Sequence, residues 1–276
     1  MGVALRTGTA AIVISAISGA AIGGGFTLLD DFESYDTGLT TLATGGAWHA
    51  EFSDPNGDAG NHTANSNIVA TDMGNSLQAL GGAAWRGAER DLTGTGAALG
   101  VGETKTYFWQ VKVRTDLATT DWVYDFMMGL SPSVDNIDIN NAWQDFSVMP
   151  YINNAPDTPF LNANAPTQPY WAAMSADVWT NVWIVVNNDA TDPSFDLYAS
   201  TGADDATLVV ADADWRNFGP GAALNAIGFM AAGADGTEYL IDNIYFADGV
   251  DLSNPVPAPG SIALLGLAGA LAHRRR

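Results

Sequence analysis

Short segments in which apolar and polar residues alternate follow one another along most of the chain, from Leu28 onward. Alternation with a period of two, in segments rich in aromatic and β-branched residues, is typical of β-strands. Eight such segments predict strands: Thr106–Thr115, Trp122–Leu130, Asp145–Ile152, Trp179–Asn187, Ser194–Ala199, Thr207–Ala211, Asn225–Ala231 and Thr237–Phe246. Turn-forming clusters separate them, with no amphipathic helix and no fixed-period repeat between. About ten strands in one unit predict an all-β, two-sheet antiparallel β-sandwich.

The two ends of this region sharpen the prediction. It opens on Leu28–Glu33 (LLDDFE) and closes on Glu238–Phe246 (EYLIDNIYF), and Trp179–Ala199 reads as an aromatic hairpin. These motifs resemble the jelly-roll modules of the concanavalin A-like lectin and glucanase superfamily, in particular its laminin-G-like members. The resemblance implies a single jelly-roll domain over residues 28–248. It does not choose among enzymes, lectins and structural modules, because this fold carries all three.

The N-terminal residues form a short apolar segment. Arg6 precedes the apolar stretch Ala10–Ala21, and the small residues Ser18–Ala21 suit cleavage by signal peptidase. We predict a signal peptide over residues 1–21, forming a short hydrophobic helix, and a linker over residues 22–27. A buried N-terminal helix is the alternative, but the glycine run that follows argues against a packed partner.

The C-terminal end carries three features in order. They are the motif residues Val256, Pro257, Pro259, Gly260 and Ser261, the apolar run Ile262–Ala272, and the cluster Arg274, Arg275 and Arg276. This order resembles the PEP-CTERM sorting signal of exported bacterial proteins, with Ala258 where that motif has glutamate. The resemblance implies a linker over residues 249–260 and a sorting or anchor tail over residues 261–276.

The same resemblance implies a destination. Exosortase-type sorting machinery would recognise the tail, and the protein would reach the cell envelope, the surface or the extracellular matrix of a bacterium. Any membrane contact would be made through the tail only. Because a helix rises ~1.5 Å per residue, the apolar run spans roughly 16 Å of a hydrocarbon core about 30 Å thick. A C-terminal amphipathic helix is the alternative.

The charge balance is strongly acidic. Asp and Glu number 31 against 10 Lys and Arg, which gives a net charge of −21, and every acidic residue lies between Asp30 and Asp251. Such a surface repels phosphate backbones, so nucleic-acid binding is excluded. It suits divalent cations, although an acidic coat that keeps an exported protein soluble is the alternative explanation. The absence of cysteine excludes disulfides, thiolate nucleophiles and zinc–thiolate sites.

One segment invites comparison with a catalytic motif. Laminarinase-type glycosidases of this fold carry Glu-x-Asp-x-Glu on one strand, and the matching positions here hold Asn136, Asp138 and Asn140. An amide can act neither as nucleophile nor as general acid near neutral pH. The segment therefore argues against retaining glycoside hydrolysis; the alternative is that it is a polar loop between strands. Because the sequence also has no serine- or histidine-based catalytic motif, we predict that the protein is not an enzyme. Acids on other strands, such as Asp121, Asp125 and Asp145, are the alternative source of catalytic carboxyls.

Two places are candidates for a structural Ca²⁺. Resemblance to sandwich modules in which the ion ties the first strand to the last implicates Asp30, Asp31, Glu33 and Asp242. The alternative is that Asp31 and Asp242 face solvent on edge strands. The loop Asp54–Gly60 also has oxygen ligands at alternate positions, but it lacks the glycine and glutamate of an EF-hand, and an ordinary turn explains it better.

Aromatic residues raise the question of sugar binding, because sugars stack their apolar faces on flat rings. Trp109, Trp122 and Trp183 lie within apolar strands and are predicted to be core. The candidate binding residues are Trp143, Tyr170 and Trp171, which sit near proline or polar clusters. Packing over a sheet edge is the alternative for these three.

These observations together favour one function. We predict an exported, cell-envelope-sorted, non-catalytic β-sandwich that binds a glycan, acts in adhesion or builds the matrix, with an extracellular polysaccharide as the candidate partner. The alternative from another class is a secreted polysaccharide-acting enzyme, a glycosidase or lyase. A purely structural protein without a ligand site is the third possibility.

Overall fold

The computed structural model describes residues 25–53, 66–82, 85–114, 124–134, 146–155, 158–163, 171–233 and 237–256. Over these residues, sixteen strands and the short helix α1 (Thr40–Ala43) form two antiparallel sheets that pack face to face. This arrangement confirms the predicted all-β, two-sheet sandwich. The predicted terminal helices lie outside the described residues.

The larger sheet has nine strands. They are β1 (Thr27–Asp30), β2 (Gly38–Leu39), β4 (Ser66–Thr71), β5 (Gly74–Leu80), β7 (Thr104–Arg114), β12 (Thr180–Asn187), β13 (Ser194–Thr201), β14 (Thr207–Asp214) and β16 (Glu238–Asp248). Their spatial order is β14-β13-β12-β7-β16-β5-β4-β2, and β1 pairs with β16. The first and last described strands are therefore neighbours.

The smaller sheet has seven strands. They are β3 (His49–Ser53), β6 (Trp85–Asp91), β8 (Tyr124–Ser131), β9 (Pro150–Ala155), β10 (Thr158–Ala163), β11 (Trp171–Ala173) and β15 (Ala226–Gly233). Their spatial order is β11-β10-β9-β8-β15-β6-β3. The neighbours β8 and β15 are far apart in sequence, so this sheet depends on long-range pairing.

The core lies between the two sheets and follows from the alternation along each strand. Trp109 of β7 and Phe126 of β8 point inward and are fully buried. Phe229 of β15 joins them, because its ring centroid lies 5.8 Å from that of Trp109 in an edge-to-face contact. Burying each large apolar side chain stabilises the fold by roughly 1.5–3 kcal/mol. The core therefore determines which face of each strand points outward and can carry a functional site.

A buried ion pair interrupts this apolar interior. Arg90 of β6 donates from Nη1 to Asp30 Oδ2 at 2.5 Å, and Trp48 Nε1 donates to the same oxygen at 2.9 Å. Arg90 also lies over the Trp48 ring, 5.7 Å from its centroid. The charged residues of β6 hid this strand from the hydrophobic pattern, although it is an interior strand of the smaller sheet, between β15 and β3.

Each of the eight predicted strands has a counterpart in the structure, with boundaries shifted by a few residues. The largest shift is at Asp145–Ile152, where β9 begins only at Pro150. Ser147 and Val148 both donate their backbone N–H to the Leu130 carbonyl, at 2.9 and 3.3 Å, which interrupts the ladder before Pro150. Among the described residues, no helix is long and apolar enough to cross a membrane.

Candidate active site

The side of the seven-stranded sheet that faces away from the core is called the front face below. Alternate residues of β8 and β15 point to it, since their neighbours fill the core. Its floor is apolar, formed by the buried side chains Trp85, Met127, Phe146, Met149 and Met230. A buried apolar floor on the outside of a sheet is unusual for a sandwich with solvent on both sides, where outward positions are mostly polar.

Asp125 stands at one end of this floor, in the second position of β8. The Tyr151 hydroxyl of the neighbouring β9 donates to Asp125 Oδ1 at 2.6 Å. The backbone N–H of Asp125 donates to the Tyr239 hydroxyl, which reaches across from the core, at 2.8 Å. Tyr239 in turn stacks on Phe126, with ring centroids 4.4 Å apart. Both the carboxyl group and its backbone are therefore held in place.

Burial controls the ionisation of this carboxyl group. Loss of solvent raises the pKa of Asp125 to about 6, while the hydrogen bond from Tyr151 acts in the opposite direction by stabilising the carboxylate. The pKa of Tyr151 is also raised, first by burial and then by the Asp125 charge. The tyrosine therefore stays a hydrogen-bond donor. Asp125 is a carboxylic acid that still holds its proton in part near pH 6.

Polar side chains continue from Asp125 along the same edge of the front face. Asn153 hydrogen-bonds Tyr151, and Asn162 of β10 donates to Asn153 Oδ1 at 3.4 Å. Arg216 lies close enough to Tyr151 to interact with it electrostatically, and burial lowers the pKa of its guanidinium. Its backbone N–H donates to the Ser147 carbonyl at 2.8 Å. A charged donor and two amides thus surround the Asp125–Tyr151 pair.

A second acid, Glu89 of β6, lies on the front face and is also buried. It is opposite Gly228 of β15, whereas Asp125 is opposite Ala232 of the same strand. Two strand spacings and four residues place the two Cα atoms roughly 17 Å apart. Glycosidase carboxyl pairs are about 5–9.5 Å apart, so Asp125 and Glu89 do not form such a pair.

The predicted calcium ligands fall into two groups. Asp30 is buried and turned toward Arg90 and Trp48, and the Tyr35 hydroxyl donates to its Oδ2 at 2.9 Å. It is occupied by these partners. Asp242 lies on the other side of the larger sheet, where Ser76 donates to its Oδ2 at 3.1 Å.

Asp31 and Glu33 are near Asp242. Burial raises the pKa of Asp242 to about 8, and the charges of Glu33 and Asp31 add to the shift. The alternative that Asp242 faces solvent on an edge strand is wrong, because β16 pairs with β5 on one side and β7 on the other. Within the described ranges, no three Asp, Glu or His side chains form a group that could hold an ion. Calcium binding stays a prediction.

Most other predicted functional residues lie outside the described residues. These are Trp143, Tyr170, the segment Asp135–Asn140 and the sorting residues from Pro257 to Arg276. Trp171 belongs to β11, but its side chain is outside the description. Val256 packs near the buried Trp183, whose indole donates to the Ser253 carbonyl at 3.0 Å on the outer side of the larger sheet.

From the sequence, Asp125 was predicted only as one of several acids on other strands that could supply a catalytic carboxyl group. The pairing of Asp125 with Tyr151 was not predicted. One feature of the sequence could have indicated this pairing: Asp125 lies between apolar residues in the segment WVYDFMM. A carboxylate on a half-buried strand needs a hydrogen-bonding partner.

Comparison with solved structures places the fold among known proteins. The catalytic domain of the glycoside hydrolase family 131 protein from Coprinopsis cinerea matches with a TM-score of 0.53 and 14% identity, covering 86% of this chain and 100% of that chain. The GH131 β-glucanase catalytic domain from Podospora anserina gives 0.52 and 14%, covering 84% and 100%. Lectin II from Ulex europaeus gives 0.47 and 11%, covering 74% and 93%, a likeness too weak to support any argument.

No protein-family model matches the sequence, and no curated protein matches it either. The chain has the concanavalin A-like jelly-roll fold that was predicted, and it shares this fold with glycoside hydrolase catalytic domains.

This finding overturns the prediction that the protein is not an enzyme. As far as catalytic carboxyl groups are concerned, that prediction depended on one segment, Asp135–Asn140. The structure instead places an acid with a raised pKa, Asp125, on the front face of a fold that glycoside hydrolases use. Amides at Asn136 and Asn140 do not bear on that acid.

Proposed function

We propose that the protein is a polysaccharide-acting glycoside hydrolase whose active site lies on the front face, with Asp125 as the general acid. The observation that supports the proposal is the Asp125–Tyr151 pair beside an apolar floor. The hydroxyl groups of a sugar suit Asn153, Asn162 and the guanidinium of Arg216, while the buried floor holds the Asp125–Tyr151 pair in a region of low solvent content.

In this mechanism Asp125 gives its proton to the glycosidic oxygen as the bond to the sugar breaks. A pKa of about 6 suits the role, because the acid is partly protonated near neutral pH and still acidic enough to donate. Tyr151 holds the carboxyl group in one orientation. The reaction also needs a second carboxylate as base or nucleophile, which we assign to residues outside the described ranges, with Asp121 and Asp145 the first to test.

The experiment measures reducing-sugar release from β-glucan, xylan, agar and carrageenan between pH 4 and pH 8. We expect release from at least one neutral polymer, and we expect Asp125→Asn to lower it about 100-fold or more, because general acid catalysis contributes 10²–10⁴-fold. The control is Asp192→Asn, an exposed acid in the turn before β13. Release at background from the wild type on every polymer, or an active Asp125→Asn variant, would refute the proposal.

The pH profile gives a second readout of the same site. Activity should fall as the pH rises through about 6, because Asp125 then loses the proton that it must donate. Tyr151→Phe removes a hydrogen bond that stabilises the carboxylate, so this falling limb should move upward by about 1–2 pH units. Tyr198→Phe, on the opposite side of the molecule, is the control. A limb that stays in place would show that Asp125 does not set it.

The location and sorting of the protein are also proposed. We propose that the signal peptide over residues 1–21 directs export and that the tail over residues 261–276 is read by exosortase-type sorting machinery. The support is the order of motif, apolar run and arginines in the sequence. Intact-mass analysis of the native protein should show loss of the N-terminal segment, and the full-length chain in the cytoplasm would contradict this.

A further inference from the structure

A cavity of about 330 Å³ opens at one edge of the sandwich, away from the front face. It lies at the edge of the sandwich formed by the edge strands β11 and β14. Strands β10 and β11 of the smaller sheet are on one side of it, and β13 and β14 of the larger sheet are on the other. Its volume falls at the lower end of the range of small-ligand sites, about 300–1,000 Å³. We call it the edge cavity.

The lining of the edge cavity divides into an apolar floor and a polar rim. Leu161, Met174 and Val209 contribute to the floor. The polar part of the lining, called the rim, consists of Ser175, Thr180, Thr201, Thr207, Asp204 and Asp205. Ser200 also borders the cavity, but its hydroxyl accepts a hydrogen bond from Asn181 Nδ2 at 3.2 Å. Leu208 also lines the cavity and is 50% exposed, which is high for a leucine on a strand.

The charges of this lining limit what can enter. Asp204 and Asp205 are exposed, and the described residues that line the cavity include no lysine or arginine. The protein as a whole carries a net charge of −21. An anionic ligand would meet only repulsion, since no cation neutralises it. A neutral ligand with many hydroxyl groups fits, because carboxylates and hydroxyls accept and donate hydrogen bonds to it.

One buried hydroxyl group points to a ligand independently. Thr180 lies on the core side of β12, is 4% exposed and lines the cavity, and its Oγ1 has no hydrogen-bond partner. An unsatisfied buried hydroxyl costs free energy, roughly 1–3 kcal/mol in proteins. Valine has the same shape and would avoid this cost.

From the floor, the rim, the charge and this unpaired hydroxyl, we infer that the edge cavity is a binding site for a saccharide that carries no negative charge, distinct from the front face. The apolar side of a sugar ring would lie on the floor, and its hydroxyl groups would meet Asp204, Asp205 and the hydroxyls of the rim. The inference does not depend on hydrolysis at Asp125, because the ligand class follows from the lining of the cavity.

The test uses the full chain carrying Asp125→Asn, so that no ligand is hydrolysed. Isothermal titration calorimetry measures binding of cellotetraose and laminaritetraose (neutral), tetragalacturonate (anionic) and a glucosamine tetramer (cationic). Amide chemical shifts then locate the bound sugar. We expect a neutral tetrasaccharide to bind and to shift the amides of Thr180, Ala199 and Val209. We expect no binding of tetragalacturonate.

Thr180→Val, added to the same chain, separates binding from stability. It should weaken saccharide binding about fivefold through the loss of one hydrogen bond, while the melting temperature stays the same or rises. Asp204→Asn with Asp205→Asn should also weaken binding, and Asp192→Asn should not.

Three results would overturn the inference: shifts confined to the front face, unchanged affinity in Thr180→Val, or equal or tighter binding of the anionic tetramer. A wild-type protein without hydrolase activity would refute the proposed function and leave this inference standing.

Discussion

The raised pKa of Asp125 makes a prediction about stability that needs no substrate. Asparagine at this position has nearly the same shape and can still accept the Tyr151 hydrogen bond, but it does not titrate. The pKa of Asp125 rises from 3.8 to about 6 on folding. Because one pKa unit corresponds to 1.36 kcal/mol, the shift is worth about 3 kcal/mol.

The sign follows from where the proton is held more tightly. The folded protein binds this proton more strongly than the unfolded chain does, so its stabilisation is complete below about pH 4 and is lost as the pH rises through about 6. The stability of the wild type relative to Asp125→Asn should therefore fall by about 2.4 kcal/mol between pH 4 and pH 7, which is most of the full shift. Many other carboxyl groups titrate in this range, and they cancel in the difference.

Urea denaturation at pH 4, 5, 6 and 7, in EDTA and followed by tryptophan fluorescence, measures this difference. The nine tryptophans give a strong signal. Asp192→Asn serves as the control and should follow the wild type at every pH, because that carboxyl group is exposed. A difference between wild type and Asp125→Asn that does not change with pH would show that folding does not raise the pKa of Asp125, and its role as a general acid would lose its support.

Two further predictions concern the charged residues of the fold. Arg90→Met should cost about 3–5 kcal/mol of stability in urea denaturation, because it leaves the buried Asp30 without its cation. The control Arg114→Met removes a half-exposed ion pair and should cost under about 1 kcal/mol. Equal losses in the two variants would contradict the role of burial. If calcium binds at Asp242, millimolar CaCl₂ should raise the melting temperature above that in EDTA, and the free energy of unfolding should increase by about 2.7 kcal/mol when calcium is at 100 times its dissociation constant. MgCl₂, the control for charge screening, should give no such rise, and Asp242→Asn should remove it; the absence of a calcium-specific rise would retire the site.

Hydrophobic alternation was a good guide to strands whose outward face is polar or uniformly apolar. It found β7, β12 and β16, whose inward residues are large and regular. It missed β6, because Arg86, Glu89 and Arg90 break the pattern. An arginine that points inward, such as Arg90, can be predicted only when its carboxylate partner is known. Strand pairing across long stretches of sequence, such as β8 with β15, likewise has no local signal.

The sequence by itself determined the fold class and the classes of function that charge and cysteine content exclude, because alternation and composition are local or additive properties. The candidate active site was decided by tertiary structure. The pKa of Asp125 depends on how much solvent the packed sheet removes, and its hydrogen bond depends on β9 lying beside β8. The edge cavity exists only because two strands from different sheets, distant in sequence, end their layers side by side. Neither burial nor adjacency is a property of any single segment.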